Sequence, residues 1–483
     1  MRLILFLHRW LRIMLCGLFL MWFVSGMMVL MYHPFPSLPE TERHAHSQNI
    51  DPSRISIAPI EAIRFSGIMA PDRLRLIDLG GQPIYVVHSG KETPMLIGAD
   101  TGESIAPIHQ ETAGRIATEF VGIPPSAIEG SMEYDQWIVH QRFDAYRPFF
   151  RIHFPDPEAT VLYVSASTGE VLQKTRSAER AWNYVGAVVH WIYPTNLRQY
   201  SEIWNQVVWA ISFLGVLTAF GGVWLGVVRV WQGIQRKRLN GLSPFTGWLR
   251  GHHLLGLVSG VIICTWILSG WLSVDQGRLF SMPTPTLQQV QDFRGSSFGQ
   301  GVQFITAPAF GTFGDHKEVE FIVVGGKLLL LGKGTESQLY ASRGARGFVP
   351  SRLTKRELVS AVRRAWPGLN VRLVEEVQPD DRYGHLRESH LPKQTLRVIL
   401  DDPAQTWVHI DMQTGMIVSV MDKSRRMYRW LFNGLHSLDF PGLVDHRPLW
   451  DVLMLSLLML GAIFSMTSVV LGWRRMLRYC RGV

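Results

Sequence analysis

The 483-residue sequence predicts an α+β integral membrane protein: four transmembrane helices in two parallel tandem repeats, with two β-rich outer domains. Three observations lead there. Four apolar stretches have spanning length, arginine and lysine gather on one side of them, and equivalent residues recur in the two halves. Composition agrees, since apolar residues make up 47% and charged residues only 18%, against roughly a quarter charged in soluble domains. Three cysteines, Cys16, Cys264 and Cys480, form no C-x-x-C. That excludes a disulfide scaffold, a thiolate zinc ribbon, a four-cysteine iron–sulfur cluster and the covalent attachment of c-type haem. H-E-x-x-H does not occur, and Gly326 to Thr335 lacks phosphate-loop spacing, with a glycine after Lys333.

The apolar stretches run approximately Leu11–Met31, Trp204–Val228, Leu254–Val274 and Leu449–Trp473, each near the ~20 residues that cross a hydrocarbon core. The first is too long for a secretory signal and no small-residue cleavage pattern precedes His33-Pro34-Phe35-Pro36, so it reads as an uncleaved anchor. Cations set the orientation. Arg2, Arg9 and Arg12 open the first span; Arg229, Arg236, Lys237, Arg238 and Arg250 lie between the second and third; Arg474, Arg475, Arg478 and Arg481 follow the fourth. These segments contain no Asp or Glu, whereas the remainder holds 36 basic and 39 acidic residues. The net charge of +9 is thus a topology signal, and no nucleic-acid partner is expected. Both termini and the middle loop are expected in the cytoplasm, with membrane lipid as the surrounding partner.

The chain divides accordingly. Residues 1–31 form the cytoplasmic edge and first span, 32–180 an outer domain, and 181–229 an interfacial helix and second span. A basic loop (230–251) leads to the third span (252–274) and a second outer domain (275–424). An interfacial helix with the fourth span (425–473) and a basic tail (474–483) complete it. Strand-like runs such as Pro83–Val87 and Leu396–Leu400 and turns such as Asp100-Thr101-Gly102-Glu103 mark the outer domains as β-rich. Thr354–Trp366 reads as a helix with a Thr cap, Glu357 at the capping-box position and Pro367 beyond its end. Pro34–Pro52 and Met282–Gln300 read as stalks or linkers.

Placing His8 over His252 aligns the first and third spans without a gap, with Trp22 on Trp266 and Ser25-Gly26 on Ser269-Gly270. Placing His190 over His436 aligns the second and fourth, with Trp204 on Trp450, Gly215 on Gly461 and Arg229 on Arg475. Parallel repeats are related by an axis along the membrane normal, so equivalent residues face each other across it. His8 and His252 then form a pair at the cytoplasmic edge, and His190 and His436 a pair at the outer edge. Each outer histidine follows an aromatic stretch, Ala181–Val189 or Met427–Leu435, read as a short interfacial helix. Gly222-x-x-x-Gly226 reads as close helix packing.

Two facing neutral imidazoles suit the axial positions of a b-type haem, which needs no cysteine. Two haem b groups, one per side, would form a transmembrane electron wire, with the four histidines as iron ligands. His253 is an alternative to His252. Arg9 and Arg250 inside, and Arg426 and Arg429 outside, are candidates for propionate contacts, and Trp10, Trp182, Trp191, Trp248, Trp266 and Trp430 for the porphyrin faces. Taken singly, each of these residues is an ordinary interface anchor; the fourfold recurrence is the argument. His33 and His446 are reserve outer ligands, whereas His44, His46, His385 and His390 read as solvated loop residues. The run Arg142–Arg151, with Phe143, Tyr146, Phe149 and Phe150, is either a docking surface for an anion or a solvated strand face.

These residues resemble the PepSY-associated transmembrane proteins, iron-regulated proteins of the bacterial inner membrane. The resemblance rests on His8-Arg9-Trp10-Leu11, His252-His253-Leu254-Leu255-Gly256-Leu257, Leu435-His436-Ser437-Leu438-Asp439-Phe440 and the strand–turn units Ile97–Glu103 and Tyr163–Glu170, and spans essentially the whole chain. It implies PepSY-like periplasmic domains, b-type haem held by His8, His190, His252 and His436, and reduction of a ferric siderophore to release ferrous iron. Arg12 stands where the pattern has glycine, which Gly256 keeps in the second half, so the inner site is expected to be asymmetric. The cytoplasmic segment between spans is too short for a nicotinamide or flavin domain. The electron donor is then membrane quinol or a separate cytoplasmic reductase. The alternatives are a membrane-anchored PepSY binding or assembly module without haem, and a permease. Against a permease, the spans lack the buried acidic residues and Pro breaks common at transport sites.

Overall fold

A computed structural model describes residues 2–26, 32–90, 92–235, 242–334, 336–342, 347–386 and 389–480. Arg236, Lys237, Arg238, Arg481 and the segment through Met31 lie outside the described residues, as does the side chain of His385. Among the described residues four helices are long and apolar enough to cross a membrane: Arg2–Ser25, Ser201–Gln235, Gly247–Ser273 and Leu449–Cys480. They run past the apolar windows because helix-forming polar residues continue the backbone pattern at the ends. Being apolar all round, such helices bury one side on each other and leave the other for lipid. Met14, Val258, Val261 and Val452 are exposed accordingly. The helices pack as a ring, first on fourth, fourth on third, third on second and second on first, around a core of Phe19, Phe23, Ile263, Trp266, Trp450 and Met454.

The first outer segment contributes β1 (Arg73–Asp78), β2 (Pro83–His88) and β3 (Met95–Gly98), then β4 (Ala127–Met132), β5 (Phe149–His153), β6 (Val161–Ser165) and β7 (Val171–Thr175). The second contributes β8 (Glu318–Val324), β9 (Lys327–Lys333), β10 (Gln338–Ser342) and β11 (Phe348–Pro350). It continues with β12 (Val371–Glu376), the two-residue strands β13 (His385–Leu386) and β14 (Ser389–His390), and β15 (Thr395–Leu400), β16 (Trp407–Asp411) and β17 (Ile417–Met421). All pairings are antiparallel, those joined by short turns and the distant β1–β8 pair alike. One seven-stranded sheet, β11-β10-β9-β8-β1-β2-β3, crosses between the two segments through β1 and β8, pairing Arg75 with Glu320 and Ile77 with Glu318. Two four-stranded sheets, β4-β5-β6-β7 and β12-β15-β16-β17, and the two-stranded β13-β14 complete the outer part.

Alternation along the strands places the cores. Leu74, Leu76, Tyr85 and Val87 meet Phe310, Phe313 and Phe321 on one face of the large sheet. The first small sheet buries Ile152, Leu162 and Val164 against Ala113, Ile116 and Phe120 of helix Gln110–Val121. Its other face, with Phe149, Val161 and Tyr163, packs on Val188 and Tyr193 beside the first interfacial helix. Lys355–Ala365 packs likewise on the second small sheet. Its capping box is present: Thr354 Oγ1 accepts from Glu357 N at 3.2 Å and the Glu357 carboxylate accepts from Thr354 N at 2.8 Å.

The two segments read as linkers are folded parts of the domains. Glu40–Ala45, Leu287–Arg294 and Phe298–Val302 are helical, and Ile50, Phe293 and Phe298 are buried in the cores. Their few apolar residues are too widely spaced to show a period, yet each finds a core.

Candidate functional site

Each outer histidine is delivered by a helix that widens before it ends. Ser177–Asn183 runs into the π-helical stretch Tyr184–Val188, and Lys423–Arg429 into Trp430–Gly434. Such widened turns are rare and recur at functional positions. His190 and His436 follow within two residues. His190 Nδ1 lies 3.1 Å from Ser25 Oγ at the end of the first spanning helix, and His436 Nδ1 lies 3.0 Å from Ser269 Oγ near the end of the third. The next residue is glycine in both cases and leaves room for the ring. A Cβ on Gly26 would stand 3.0 Å from His190 Cε1, and one on Gly270 3.4 Å from His436 Cε1. Trp22 Nε1 donates to the His190 carbonyl at 3.0 Å and Trp450 Nε1 to the Ser437 carbonyl at 3.2 Å, fixing both segments. Burial, and the nearby His436, hold the His190 imidazole below its ordinary range and therefore neutral.

Seventeen residues before those serines, on the same two helices, stand His8 and His252. His8 Nδ1–H donates to the Thr218 carbonyl of the second helix at 3.1 Å. Its ring lies over Gly222, where a Cβ would come within 2.7 Å of Cε1. Gly222 therefore makes room for an imidazole, a more specific role than the close helix packing its spacing suggested. His252 Nδ1 lies 3.0 Å from Thr467 Oγ1 and 3.3 Å from Ser468 Oγ, with its ring stacked on Phe464 of the fourth helix at 4.6 Å. Both histidines line a cavity of about 340 Å³ that all four helices enclose.

The cavity is electropositive. Among the described residues, Arg9, Arg12, Arg229 and Arg475 line it and no Asp or Glu does, while Arg12 Nε is buried with no hydrogen-bond partner. Gly256, the counterpart of Arg12, instead admits Phe464, to which a Cβ would approach within 3.0 Å. His253 also borders the cavity, but both of its nitrogens are engaged, Nδ1 with Ser243 Oγ at 3.0 Å and Nε2 with the Gly226 carbonyl at 3.1 Å. It has no lone pair left for a metal, whereas His252 Nε2 has no partner among the described residues.

Other expected contacts fall elsewhere. Arg429 is buried and closes an ion pair with Asp439 at 3.0 Å, its Nε and Nη1 donating to the Arg382 and Asp439 carbonyls. Arg429, expected to contact a propionate, is thus already neutralised by a nearby carboxylate. Arg426 lies over Trp407 and donates to backbone carbonyls. Trp10, Trp182, Trp191 and Trp248 are exposed and Trp266 belongs to the bundle core, so the inner cavity is walled by Phe19, Phe245 and Phe464 rather than by tryptophan. Of the Arg142–Arg151 run, Arg147 pairs with Asp144 at 3.0 Å and Arg151 with Glu129 and Asp135 at 3.5 Å, as in an ordinary strand face. His33 stacks on Trp182 and His446 is exposed. His44 is buried beside Glu318 rather than solvated.

No protein-family model matches the chain, and no curated protein matches it.

Proposed function

We propose that the protein is a bacterial inner-membrane b-type haem protein that moves electrons across the membrane to reduce a periplasmic ferric siderophore and release ferrous iron. One observation carries the reading. Four histidines, two at each end of the bundle, each engage Nδ1 in a hydrogen bond and leave Nε2 without a partner among the described residues. Imidazoles that ligate metals are oriented in this way, and facing neutral pairs suit b-type haem.

The residues fit the group. His8 and His252 would hold an inner haem, and His190 and His436 an outer one; the glycines give the rings their places, and the arginine-lined cavity answers two propionates. Haem iron, when bound, supplies the one-electron couple. The chain supplies axial nitrogens, a dry apolar path through Phe19, Phe23 and Trp266, and orientation, and it needs no acid–base residue. Membrane quinol or a cytoplasmic reductase is the donor.

The repeat reading has support of its own. Both halves run from spanning helix to antiparallel strands, a helix on a four-stranded sheet, an α-to-π helix with histidine, and a second spanning helix. The ring order sets the first helix diagonally across from the third, and the second across from the fourth, as a twofold axis requires. We read the outer domains as PepSY-like and periplasmic on this basis.

The test is an absorption spectrum of the detergent-purified chain, oxidised and dithionite-reduced, with haem counted per chain. Two low-spin, non-covalent haems are expected, and His190→Ala or His436→Ala is expected to lose the outer one while inserting normally. A haem-free protein after expression with ample haem defeats the reading and leaves an anchored binding module.

A further inference from the structure

We infer that Ser25 and Ser269 are positioning residues that fix the tautomer of the outer histidines, an inference that rests on the haem reading for its consequence but not for its geometry. A serine hydroxyl beside an imidazole is ambiguous in general, since it can donate to a bare nitrogen or accept from a protonated one. Here a backbone carbonyl offers each hydroxyl proton a second acceptor. Ser25 Oγ–H donates to the Met21 carbonyl at 2.6 Å, one turn back on its own helix, and Ser269 Oγ–H donates to the Trp266 carbonyl at 3.1 Å. With the hydroxyl proton on those carbonyls, oxygen lone pairs face the rings at 3.1 and 3.0 Å. His190 and His436 then present Nδ1–H, which leaves the Nε2 lone pair bare. Both serines are buried, so no water competes for the position.

The inner pair divides the same task differently. Thr467 Oγ1–H donates to the Phe464 carbonyl at 2.6 Å and accepts from His252, whereas His8 relies on a main-chain carbonyl that no side-chain substitution removes. The serines therefore act on the outer site alone.

Two measurements on the full chain test this. In haem-free protein in lipid, ¹⁵N NMR of the histidine ring nitrogens reads the tautomer directly. Wild type is expected to show one Nδ1–H form for His190 and His436, and Ser25→Ala or Ser269→Ala a second form. Haem titration followed at the Soret band is then expected to show 10- to 100-fold weaker binding at the outer site, with a shifted midpoint potential in whatever haem is retained. Ser25→Thr, which keeps the hydroxyl, is expected to restore the wild-type values, and the inner site is expected not to change. An unchanged tautomer together with unchanged outer affinity and potential in both alanine variants overturns the inference. Wild-type protein that binds no haem, yet shows the single tautomer, instead overturns the haem reading and leaves the positioning role standing.

Discussion

Gly222 lacks a side chain because the His8 ring occupies the space a methyl group would need. Gly222→Ala is therefore expected to push the ring off the Thr218 carbonyl and halve the haem content by emptying the inner site, which a pyridine haemochrome assay counts. The outer bands should persist unchanged; loss of both would point to general disruption of the bundle. The four histidines were legible in the sequence because two halves repeat them at nearly equal offsets. Their partners were not. Ser25, Ser269, Thr218 and Thr467 lie between 165 and 215 residues away along the chain, on helices whose faces the apolar pattern leaves unmarked. The repeat singled out His252 over His253, but the engagement of both His253 nitrogens was hidden in the same way.

At the scale of elements, the seam between β1 and β8 is held by buried charge as well as by hydrogen bonds. Glu170 takes both Arg75 amino groups at 2.8 and 3.0 Å, Glu318 lies 3.2 Å from Lys333 and 3.3 Å from Arg43, and Lys333 also reaches Glu320 at 2.8 Å. Burial opposes charge on these carboxylates, but the cations around them outweigh it and hold Glu170, Glu318 and Glu320 below their ordinary range. A carboxylate so depressed stabilises the fold at pH above its unfolded value of 4.5 and loses that contribution as pH falls through the folded one. His88 and His409 act earlier. Burial and the neighbouring arginines press them down to about 4 and about 3 from an ordinary 6.5, so neutral rings favour the fold above that value and protonation begins to cost stability below it. The outer domains are expected to lose melting temperature in two stages, from about pH 6.5 and again below about 4.5, as followed by circular dichroism. His88→Gln with His409→Gln, keeping an acceptor for each arginine, should flatten the upper stage only. Glu318→Gln, which strands buried cations, is expected to cost about 3–5 kcal/mol in denaturant unfolding. None of this network shows in the sequence, where Glu318 and Glu320 look like the polar face of an ordinary strand.

Across the whole molecule, the ring of helices and the shared sheet bind the two halves together at both levels. The second and third spanning helices pack on each other, the first and fourth likewise, and β1–β8 closes the outer part. Two separately expressed fragments, divided between Gln235 and Gly247, are expected to co-purify in detergent, and failure of a tagged first fragment to retain the second would count against this architecture. The four spanning helices and the β-rich outer segments were legible because hydropathy and turn residues mark them directly. The seven-stranded sheet was not, since nothing local in Leu74-Arg75-Leu76 names a partner more than 240 residues away.

The spacing of the histidine layers has an energetic consequence. Seventeen helical residues separate His8 from Ser25, and His252 from Ser269, which is about 26 Å at 1.5 Å per residue and close to the roughly 30 Å of the hydrocarbon core. An electron passed from the inner layer to the outer one would cross most of the membrane voltage. That is worth up to about 2.3 kcal/mol per 100 mV, downhill for an electron leaving a negative interior. Iron reduction would then be drawn forward by the polarisation that respiration maintains. In proteoliposomes, a potassium diffusion potential, interior negative, is expected to speed reduction of an external ferric chelate, and a potential of opposite sign to slow it.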